Sequence, residues 1–221
     1  MRGLFVTGTD TEAGKSVVAA AICAALAARG ERVAAFKPVV TGTDEHPGEW
    51  GPDHELLAAA TGQPPPDVSP LRFGPPVSPH LAAELAGTHI DPPELVNAAR
   101  RAGTGADALI CEGVGGLLVP LNTGYSVRDL AVDLGLPLVI AARPGLGTIN
   151  HTLLTVEAAR GVGLRVAGIV MTPWPAEPDA VASSNQATVE HLAGVPVSVL
   201  AATSPSQLAA AGATLPLDGW T

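Results

Sequence analysis

Positive charge is scarce in this chain of 221 residues. Lysine and arginine together number 12, against 21 aspartate and glutamate residues, and the formal net charge is −9 at pH 7 with histidine counted as neutral. Nucleic acids and anionic membranes are bound through clustered lysine and arginine. The balance therefore argues against a general nucleic-acid or membrane-binding surface, and the few cations that are present must act locally.

Cysteine is equally rare, because the chain contains only Cys23 and Cys111. Cys23 falls in a helical pattern and Cys111 at the end of an apolar run, and neither has another cysteine or a histidine at metal-ligand spacing. We therefore expect two buried free thiols in a reducing compartment, rather than a disulfide or a metal site.

Long apolar stretches are also missing, since none reaches the length of about 20 residues that a membrane-spanning helix needs. Near the start of the sequence, Asp10, Glu12 and Lys15 interrupt the apolar run that a signal peptide would require. We expect a soluble cytoplasmic protein without a membrane partner. At this length, with 47% hydrophobic residues, a single domain over residues 1–221 is the default expectation.

The chain does contain a series of short apolar runs separated by segments of helical length. The runs occupy residues 4–7, 32–36, 108–111, 138–142, 166–171 and 197–200. This alternation predicts an α/β fold with a mainly parallel central sheet and helices on both faces, because strands buried on both sides are apolar throughout. Ligands of such sheets bind at the carboxyl ends of the strands, so the loops that follow the strands are the candidate sites.

The first run leads into the most informative motif, the turn Gly14, Lys15 and Ser16 before an alanine-rich helix at residues 17–28. In such a loop, backbone N–H groups surround a phosphate, the lysine reaches the outer phosphates and the hydroxyl holds magnesium. Gly8 and Gly14 enclose five residues, whereas the usual pattern has four. The motif predicts a P-loop NTPase-like fold, and the alternative is an ordinary strand-to-helix turn whose lysine is solvated.

Two further loops carry charged groups that match a phosphate site. Lys37 follows the second run, where it can converge with Lys15 on one anion, and Glu112 follows the third run in a glycine-rich loop, where it can reach magnesium. The structural alternatives are a solvated lysine and a glutamate that caps a turn. Asp53 opens a helix and fits a metal ligand as well as an N-cap.

The loop after the fourth run precedes a helix predicted at residues 152–160. Free N–H groups at the start of this helix suit a carboxylate, and Asn150 fits either that role or an N-cap. Elsewhere, the proline-dense segment at residues 64–79 is expected to be either an ordered surface crossing or a flexible lid. Asp91 is expected to be the N-cap of the helix that follows it. The tail beyond Ser204 is too irregular to assign.

Taken together, four stretches closely resemble the dethiobiotin synthetase family. They are residues 6–16, 37–42, 112–116 and 147–151, and they occur in the family's order over residues 1 to about 170. The interval of five residues between Gly8 and Gly14 is the form that this family uses. The Thr-Gly-Thr-Asp-Thr-Glu sequence at residues 7–12 is the most specific element of the resemblance.

The resemblance implies a ligase of biotin biosynthesis that depends on ATP and Mg²⁺. Its reaction is the carboxylation and ring closure of 7,8-diaminononanoate with CO₂, through a carbamate and a carbamic-phosphoric anhydride, to the cyclic urea dethiobiotin. No covalent enzyme intermediate is needed. The resemblance also implies that the partners are small molecules and that the protein is a homodimer whose second subunit completes each site.

The resemblance implies a set of site residues as well. Lys15 and Lys37 would be catalytic, and Ser16, Asp53 and Glu112 would hold the metal. The nucleotide would be bound by Glu12, Ala13, Gly14, Lys15, Ser16, Val17, Asp53, Glu112, Gly113, Val114, Gly115, Thr172 and Pro173. The diamine or its carbamate would be bound by Thr11, Glu12, Lys37, Thr41, Gly115 and Asn150.

Two departures from the family pattern fall in the nucleobase region. Relatives commonly have an adenine-reading asparagine after the fifth run, whereas this chain has Thr172, Pro173 and Trp174. Relatives also tend to carry a Gly-x-Ile/Leu-Pro turn after the last strand, where this chain has residues 200–203 as Leu-Ala-Ala-Thr. Because the side-chain amide that would pair with adenine is missing, we expect a relaxed base preference in which other nucleoside triphosphates are accepted.

Three other functional interpretations are compatible with the sequence. A partitioning or positioning ATPase of the same broad class typically has a second, early lysine in the loop, where this chain has residues 9–12 as Thr-Asp-Thr-Glu. An amide-forming ligase would need an ammonia-producing partner domain. A binding-only protein with a decayed site is the third alternative. ATP hydrolysis without a diamine would favour the partitioning ATPase.

Overall fold

The apolar runs of the sequence become buried β-strands. The computed structural model describes residues 2–46 and 48–220. In chain order, the strands are β1 (Gly3–Gly8), β2 (Val33–Phe36), β3 (Val39–Val40), β4 (Leu71–Arg72), β5 (Ala108–Gly116), β6 (Pro120–Asn122), β7 (Tyr125–Ser126), β8 (Leu138–Ala142), β9 (Val166–Trp174) and β10 (Val197–Ala201). Each of the predicted runs is confirmed as a strand.

Helices fill most of the segments between the strands. They are α1 (Lys15–Ala28), α2 (Asp53–Thr61), α3 (Pro65–Val68), α4 (Pro79–Leu85), α5 (Pro92–Ala102), α6 (Val127–Leu134), α7 (Thr148–Arg160), α8 (Ala180–Ala193), α9 (Leu208–Gly212) and α10 (Leu217–Trp220). A 3₁₀ turn at Pro205–Gln207 precedes α9. The alanine content of α1 suits a helix, because alanine loses the least conformational freedom there.

Six strands form one sheet in the order β10-β9-β8-β1-β5-β2, and every neighbouring pair is parallel. The predicted mainly parallel sheet is therefore confirmed. Strand β2 lies at an edge, where the Gln63 amide accepts from Ala35 N at 2.6 Å and donates to Ala35 O at 3.3 Å. This side chain occupies backbone groups that an exposed edge would otherwise offer to another strand.

Helices cover both faces of the sheet, as predicted. Along β1, Leu4 and Val6 belong to the core shared with α1, α2, α9 and α10, whereas Phe5 belongs to the core shared with α4 to α8. The alternation arises because successive side chains of a strand point to opposite faces. Helix α9 approaches α1 so closely that a Cβ at Gly212 would lie 2.0 Å from the Ala21 carbonyl oxygen.

Several local expectations are refined by the structure. Helix α7 begins at Thr148 rather than at residue 152, and its N-cap is Gly147, so the N-cap alternative for Asn150 was wrong. Asp91 does stand at the N-cap of α5, but its side chain accepts no capping hydrogen bond. Residues 64–79 contain α3 and β4, which pairs with β3. This favours the ordered crossing over the flexible lid.

Cys23 and Cys111 are both free and buried, as expected. In the part of the chain that the structure describes, no helix is both long and apolar enough to cross a membrane.

Candidate active site

A cavity of about 820 Å³ opens at the carboxyl edge of the sheet. Because the six strands are parallel, the loops after β1, β2, β5, β9 and β10 meet at this edge. The predicted site residues found on its wall are Thr11, Glu12, Gly14, Lys15, Ser16, Val17, Lys37, Thr41, Asp53, Val114, Gly115, Thr172 and Pro173. The structure thus brings most of the predicted set together around one space.

Four of the predicted residues are not on the cavity wall. Ala13 is fully buried, and the side chain of Glu112 lies behind Lys37. The Gly113 carbonyl accepts a hydrogen bond from Lys37 Nζ at 3.3 Å. Asn150 stands in the first turn of α7, away from the cavity.

Part of the cavity wall is formed by residues that were not predicted from the sequence. Glu45, Glu49 and Trp50, together with residues 76–79, line the cavity opposite the phosphate-type loop. Backbone hydrogen bonds tie these segments together, because Gly42 N donates to Pro75 O at 3.0 Å. The proline density of residues 64–79 was the signal that this segment is rigid, but no local pattern indicated that it faces the site.

The backbone of the glycine-lysine-serine loop is held in a strained conformation. Gly14 has a φ of 83°, and Glu12 has a φ of 57°, which is unusual for a residue with a side chain. A Cβ at Gly14 would lie 2.4 Å from Thr172 Cγ2, so the loop packs directly on the end of β9. At Gly8, a Cβ would lie 2.9 Å from Lys15 Cγ, because the lysine stem crosses over that glycine.

Lys37 is the centre of a buried ionic cluster. Its side chain is 3% exposed, and its Nζ lies 2.6 Å from Glu112 Oε1 and 2.9 Å from Asp53 Oδ2. The Ser16 hydroxyl donates to the same Glu112 Oε1 at 2.8 Å. Asp53 begins α2 rather than capping it, since the N-cap is Pro52. The N-cap alternative for Asp53 was therefore wrong.

Burial and charge shift the acidity of this cluster in different directions. Burial alone would lower the pKa of Lys37, but the Asp53 and Glu112 carboxylates raise it above its usual value, so the side chain stays an ammonium. Burial raises the pKa of Glu112 despite the attraction of Lys37. Burial, reinforced by repulsion from Lys37, lowers the pKa of Lys15. An anion bound beside Lys15 would raise its pKa again.

A divalent cation fits the donor set beside this cluster. Glu112 Oε2 is buried and has no hydrogen-bond partner among the described residues, so one carboxylate oxygen is left without a positive neighbour. Asp53 and Ser16 add a second carboxylate and a hydroxyl, which are the hard oxygen ligands that magnesium prefers. Over residues 2–46 and 48–220, no group of three or more His, Cys, Asp or Glu side chains forms a complete protein cage. Magnesium commonly completes such a partial site with substrate phosphates and water.

The chain has only two lysines, and both are in this site. Lys15 Nζ donates to the Asp10 carbonyl at 3.1 Å, so the two ammonium groups approach the cavity from different loops. Glu12, Glu45 and Glu49 also line the cavity. Anions are therefore expected to bind at the lysines, and cations at the carboxylates.

A smaller depression lies beyond the loop, lined by Thr9, Leu117, Leu118, His151, Leu154, Thr155 and Ala158. Large apolar side chains are exposed near it. Leu118 is 58% exposed, Leu154 is 56% exposed, and Leu146, just before α7, is 93% exposed. Such apolar exposure is typical of an interaction surface.

The parallel sheet and its glycine-lysine-serine loop define the class of this protein as a P-loop NTPase-like α/β domain. A family model described as an AAA domain matches residues 2–207. Among solved structures, chloroplast FtsY from Physcomitrella patens is similar, with a TM-score of 0.53 and 16% identity. The match covers 97% of this chain and 65% of that one, so this chain spans less than two thirds of the FtsY length. At that identity, the likeness concerns the fold alone.

Curated relatives narrow the class. Proteins named ATP-dependent dethiobiotin synthetase BioD are 38% identical in Bacillus subtilis (strain 168), over 89% of this chain and 85% of that protein, and 44% identical in Anaeromyxobacter dehalogenans, over 87% and 86%. The relative of the same name in Ralstonia nicotianae is 47% identical over 74% of this chain and 73% of its own length. The chain belongs to the dethiobiotin synthetase family, a family of ATP-dependent ligases of biotin biosynthesis.

The contact between Gly14 and Thr172 predicts different effects for two glycine substitutions. Gly30 also has a positive φ, of 87°, but nothing lies within 4 Å of a Cβ placed there. We expect Gly30→Ala to lower the free energy of unfolding by about 1 kcal/mol, from backbone strain alone. Gly14→Ala should lower it by about 2–4 kcal/mol, because the methyl group also collides with Thr172, and should weaken ATP binding at least about tenfold.

Urea denaturation and calorimetric titration with ATP would measure both effects. Gly30→Ala is the matched control for left-handed strain and should bind ATP like the unmodified protein. Equal losses of stability in the two variants, with ATP binding intact, would contradict the predicted contact.

Proposed function

We propose that this protein catalyses the ATP- and Mg²⁺-dependent carboxylation and ring closure of 7,8-diaminononanoate with CO₂, which yields dethiobiotin. The observation that carries this proposal is the cluster of Lys37, Glu112 and Asp53 beside the Lys15 loop, at the edge of a cavity of about 820 Å³. The side chains of Lys37 and Glu112 are buried, and that of Asp53 is 43% exposed. Membership of the family supports it. We further propose that the enzyme works on small molecules in the cytoplasm and has no nucleic-acid partner, consistent with its net charge of −9.

The reaction is a sequence of three bond-forming steps. One amine nitrogen of the diamine attacks CO₂, a C–N bond forms and the nitrogen loses a proton, which gives a carbamate. A carbamate oxygen then takes the γ-phosphoryl group from ATP, and ADP leaves. Finally, the second amine attacks the carbonyl carbon, the C–O bond to phosphate breaks, and the ring closes. The protein needs no nucleophile of its own, so its contribution is position and charge.

The two lysines supply the positive charge. We propose that Lys15 contacts the outer phosphates and that Lys37 stabilises the negative charge of the carbamate and of the transferring phosphoryl group. The pKa of Lys15 is lowered mainly by burial. A phosphate bound beside it would favour the charged ammonium form, so the lowered pKa is consistent with a phosphate-binding role. The Glu112 and Asp53 carboxylates hold Lys37 Nζ at 2.6 Å and 2.9 Å beside the Lys15 loop.

The other predicted site residues divide between metal, nucleotide and diamine. Ser16, Asp53 and Glu112 would hold the magnesium ion, which when bound neutralises phosphate charge and orients the phosphoryl group. The nucleotide would contact backbone groups of residues 12–17 and 113–115. The diamine and its carbamate would contact Thr11, Glu12, Thr41 and Gly115, all of which line the cavity. The carboxylate of Glu12 suits an ammonium group.

The residues expected to border the nucleobase are consistent with a relaxed base preference. Thr172 and Pro173 line the cavity together with residues 201–203. Among the described residues, no asparagine or glutamine side chain lies on the cavity wall. A side-chain amide can donate and accept at once, which is how adenine is distinguished from other bases, and a threonine hydroxyl lacks the paired geometry. We therefore propose that other nucleoside triphosphates are accepted.

We also propose a homodimer in which α7 of one subunit completes the diamine site of the other. Asn150 does not line the cavity of its own chain, which is consistent with a contact to the substrate carboxylate from a neighbouring subunit. The exposed side chains of Leu118, Leu146 and Leu154 offer an apolar surface on the same side as α7. A two-fold interface would cover this surface.

The central prediction concerns Lys37. Unmodified protein supplied with magnesium, ATP, bicarbonate and the diamine should release phosphate and form the cyclic urea in equal amounts. Lys37→Ala should reduce both by more than about a hundredfold, because the charge that stabilises the transferring group is lost. Phosphate would be measured by a colorimetric assay and the product by mass spectrometry.

The control for the Lys37 experiment is Arg101→Ala, since Arg101 is an exposed cation paired with Glu94 at 2.6 Å on the surface. That variant should behave like the unmodified protein. Circular dichroism would establish that Lys37→Ala remains folded. ATP turnover that ignores the diamine would refute the proposed function and favour a nucleotide-switched ATPase.

Base preference is the second prediction. We expect turnover with CTP, GTP and UTP within about tenfold of that with ATP, because no paired amide contact separates the bases. Thr172→Asn introduces a side-chain amide at the cavity wall and should shift the preference toward ATP. Steady-state kinetics with the four triphosphates would measure it. Activity restricted to ATP in the unmodified protein would show this expectation to be wrong.

The dimer is the third prediction. Analytical ultracentrifugation at micromolar concentration should give twice the chain mass of 22.2 kDa. Leu146→Lys places a charge on the most exposed apolar side chain of the proposed interface and should weaken association. A monomer that retains full activity would refute the shared site.

A further inference from the structure

One side chain of the phosphate-type loop has no role in the proposed function as described so far. The Asp10 carboxylate accepts a hydrogen bond from the backbone N–H of Thr11, with Oδ1 2.7 Å from the nitrogen. The carbonyl oxygen of Asp10 accepts from Lys15 Nζ at 3.1 Å. Among the described residues, the peptide unit that joins Asp10 to Thr11 makes no other hydrogen bond.

These two hydrogen bonds act on one rigid plane. The peptide bond between Asp10 and Thr11 is trans, and in a trans peptide the N–H and the carbonyl point in opposite directions. Because the Asp10 carboxylate holds the N–H on one side, the carbonyl is directed to the other side, where the Lys15 ammonium lies. Without the carboxylate, this N–H would lose its acceptor and the carbonyl could rotate away from the lysine.

The end of β1 makes room for the contact between the carbonyl and the lysine. A Cβ at Gly8 would lie 2.8 Å from the Asp10 carbonyl oxygen and 2.9 Å from Lys15 Cγ, so only a glycine lets both approach. Lys15 is 7% exposed and lines the cavity. An ammonium group has three N–H donors. With one donor held by the Asp10 carbonyl, the group is fixed at the cavity wall and two donors remain for a phosphate.

The second oxygen of the Asp10 carboxylate has a weaker partner. Arg143 Nη2 lies 4.0 Å from Asp10 Oδ2, and the two side chains are 53% and 55% exposed. An ion pair at that distance in contact with water contributes little. The hydrogen bond to Thr11 is therefore the contact through which the Asp10 side chain acts on the loop.

We propose that Asp10 is a positioning residue for Lys15: its carboxylate fixes the Asp10–Thr11 peptide so that the carbonyl holds the ammonium group where the outer phosphates bind. This inference rests on the proposed function, because it takes Lys15 as the group that contacts those phosphates. Asp10 does not line the cavity, so it acts through Lys15 and not by direct contact with the nucleotide.

Calorimetric titration of full-length variants with ATP and magnesium, in the absence of the diamine, tests this proposal. Asp10→Asn keeps an oxygen that can accept from the Thr11 N–H, whereas Asp10→Ala keeps none. Both variants remove the same charge, so the comparison between them isolates the hydrogen bond. We expect Asp10→Ala to bind ATP about tenfold more weakly than Asp10→Asn, because the ammonium group is no longer held in place.

A Lys15→Ala background supplies the readout that a merely structural role would not move. Lys15→Ala alone should bind ATP at least about tenfold more weakly than the unmodified protein, because the phosphates lose a cation. In that background, the Asp10 carbonyl has no ammonium group to hold. Asp10→Ala and Asp10→Asn should then bind ATP within about twofold of each other, since the two sites are coupled.

Two variants serve as controls. Arg143→Ala removes the ion pair but leaves the hydrogen bond between Asp10 and Thr11, and it should bind ATP within about twofold of the unmodified protein. Asp179 Oδ1 accepts from Ala182 N at 2.7 Å at the start of α8, which is the same kind of contact in another part of the fold. Asp179→Ala should lower the free energy of unfolding in urea without a change in ATP affinity.

The outcomes separate the possibilities. Equal ATP affinities of Asp10→Asn and Asp10→Ala would overturn the proposal, and so would a tenfold difference that persists in the Lys15→Ala background. Should Asp10→Ala fail to fold, Asp10→Leu, which has a similar shape and no acceptor, takes its place in the same comparison. An ATP affinity that Lys15→Ala leaves unchanged would refute the role of Lys15 in the proposed function, and this inference with it, which is a different result.

Discussion

An ammonium group buried between two carboxylates connects the parts of the protein on which the site depends. Lys37 follows β2, Glu112 lies in β5, and Asp53 begins α2, so one cation joins three elements. Burying an isolated carboxylate costs several kcal/mol, and Lys37 and Ser16 both donate to one oxygen of the buried Glu112, which offsets part of that cost. The same arrangement leaves the other oxygen available for a metal ion.

The phosphate-type loop depends on a second constraint, its contact with β9. Thr172 packs on Gly14 so closely that no side chain would fit there, and the same threonine lines the cavity. A single residue therefore both supports the loop and borders the cavity. Glu12, in the same loop, has a φ of 57°, and backbone conformations of this kind cluster at functional sites.

Much of the fold could be predicted from the sequence, because strands buried on both faces appear as continuous apolar runs and the loop motif has a specific spacing. Helix starts were less predictable, because α7 begins four residues before the predicted start. Its N-cap, Gly147, has a left-handed backbone conformation, and no side-chain pattern indicates that conformation. The cavity residues that follow strands were found, whereas Trp50 and residues 76–79 were not. Their part in the site depends on the folding of one segment over another, which leaves no local signal.

The sequence by itself determined the class of fold, the family and the identity of the charged groups, because these follow from local periodicity, motif spacing and the presence of only two lysines. Only the tertiary structure excluded the N-cap alternatives for Asp53 and Asn150, and only it revealed the contact between Asn185 and the loop before α7. Asp53 meets Lys37 across 16 residues of sequence, and Asn185 meets Gly145 across 40. Contacts between residues so far apart in sequence depend on how the helices pack on the sheet. The stability of that packing is a sum over the whole core and is not a property of any single segment.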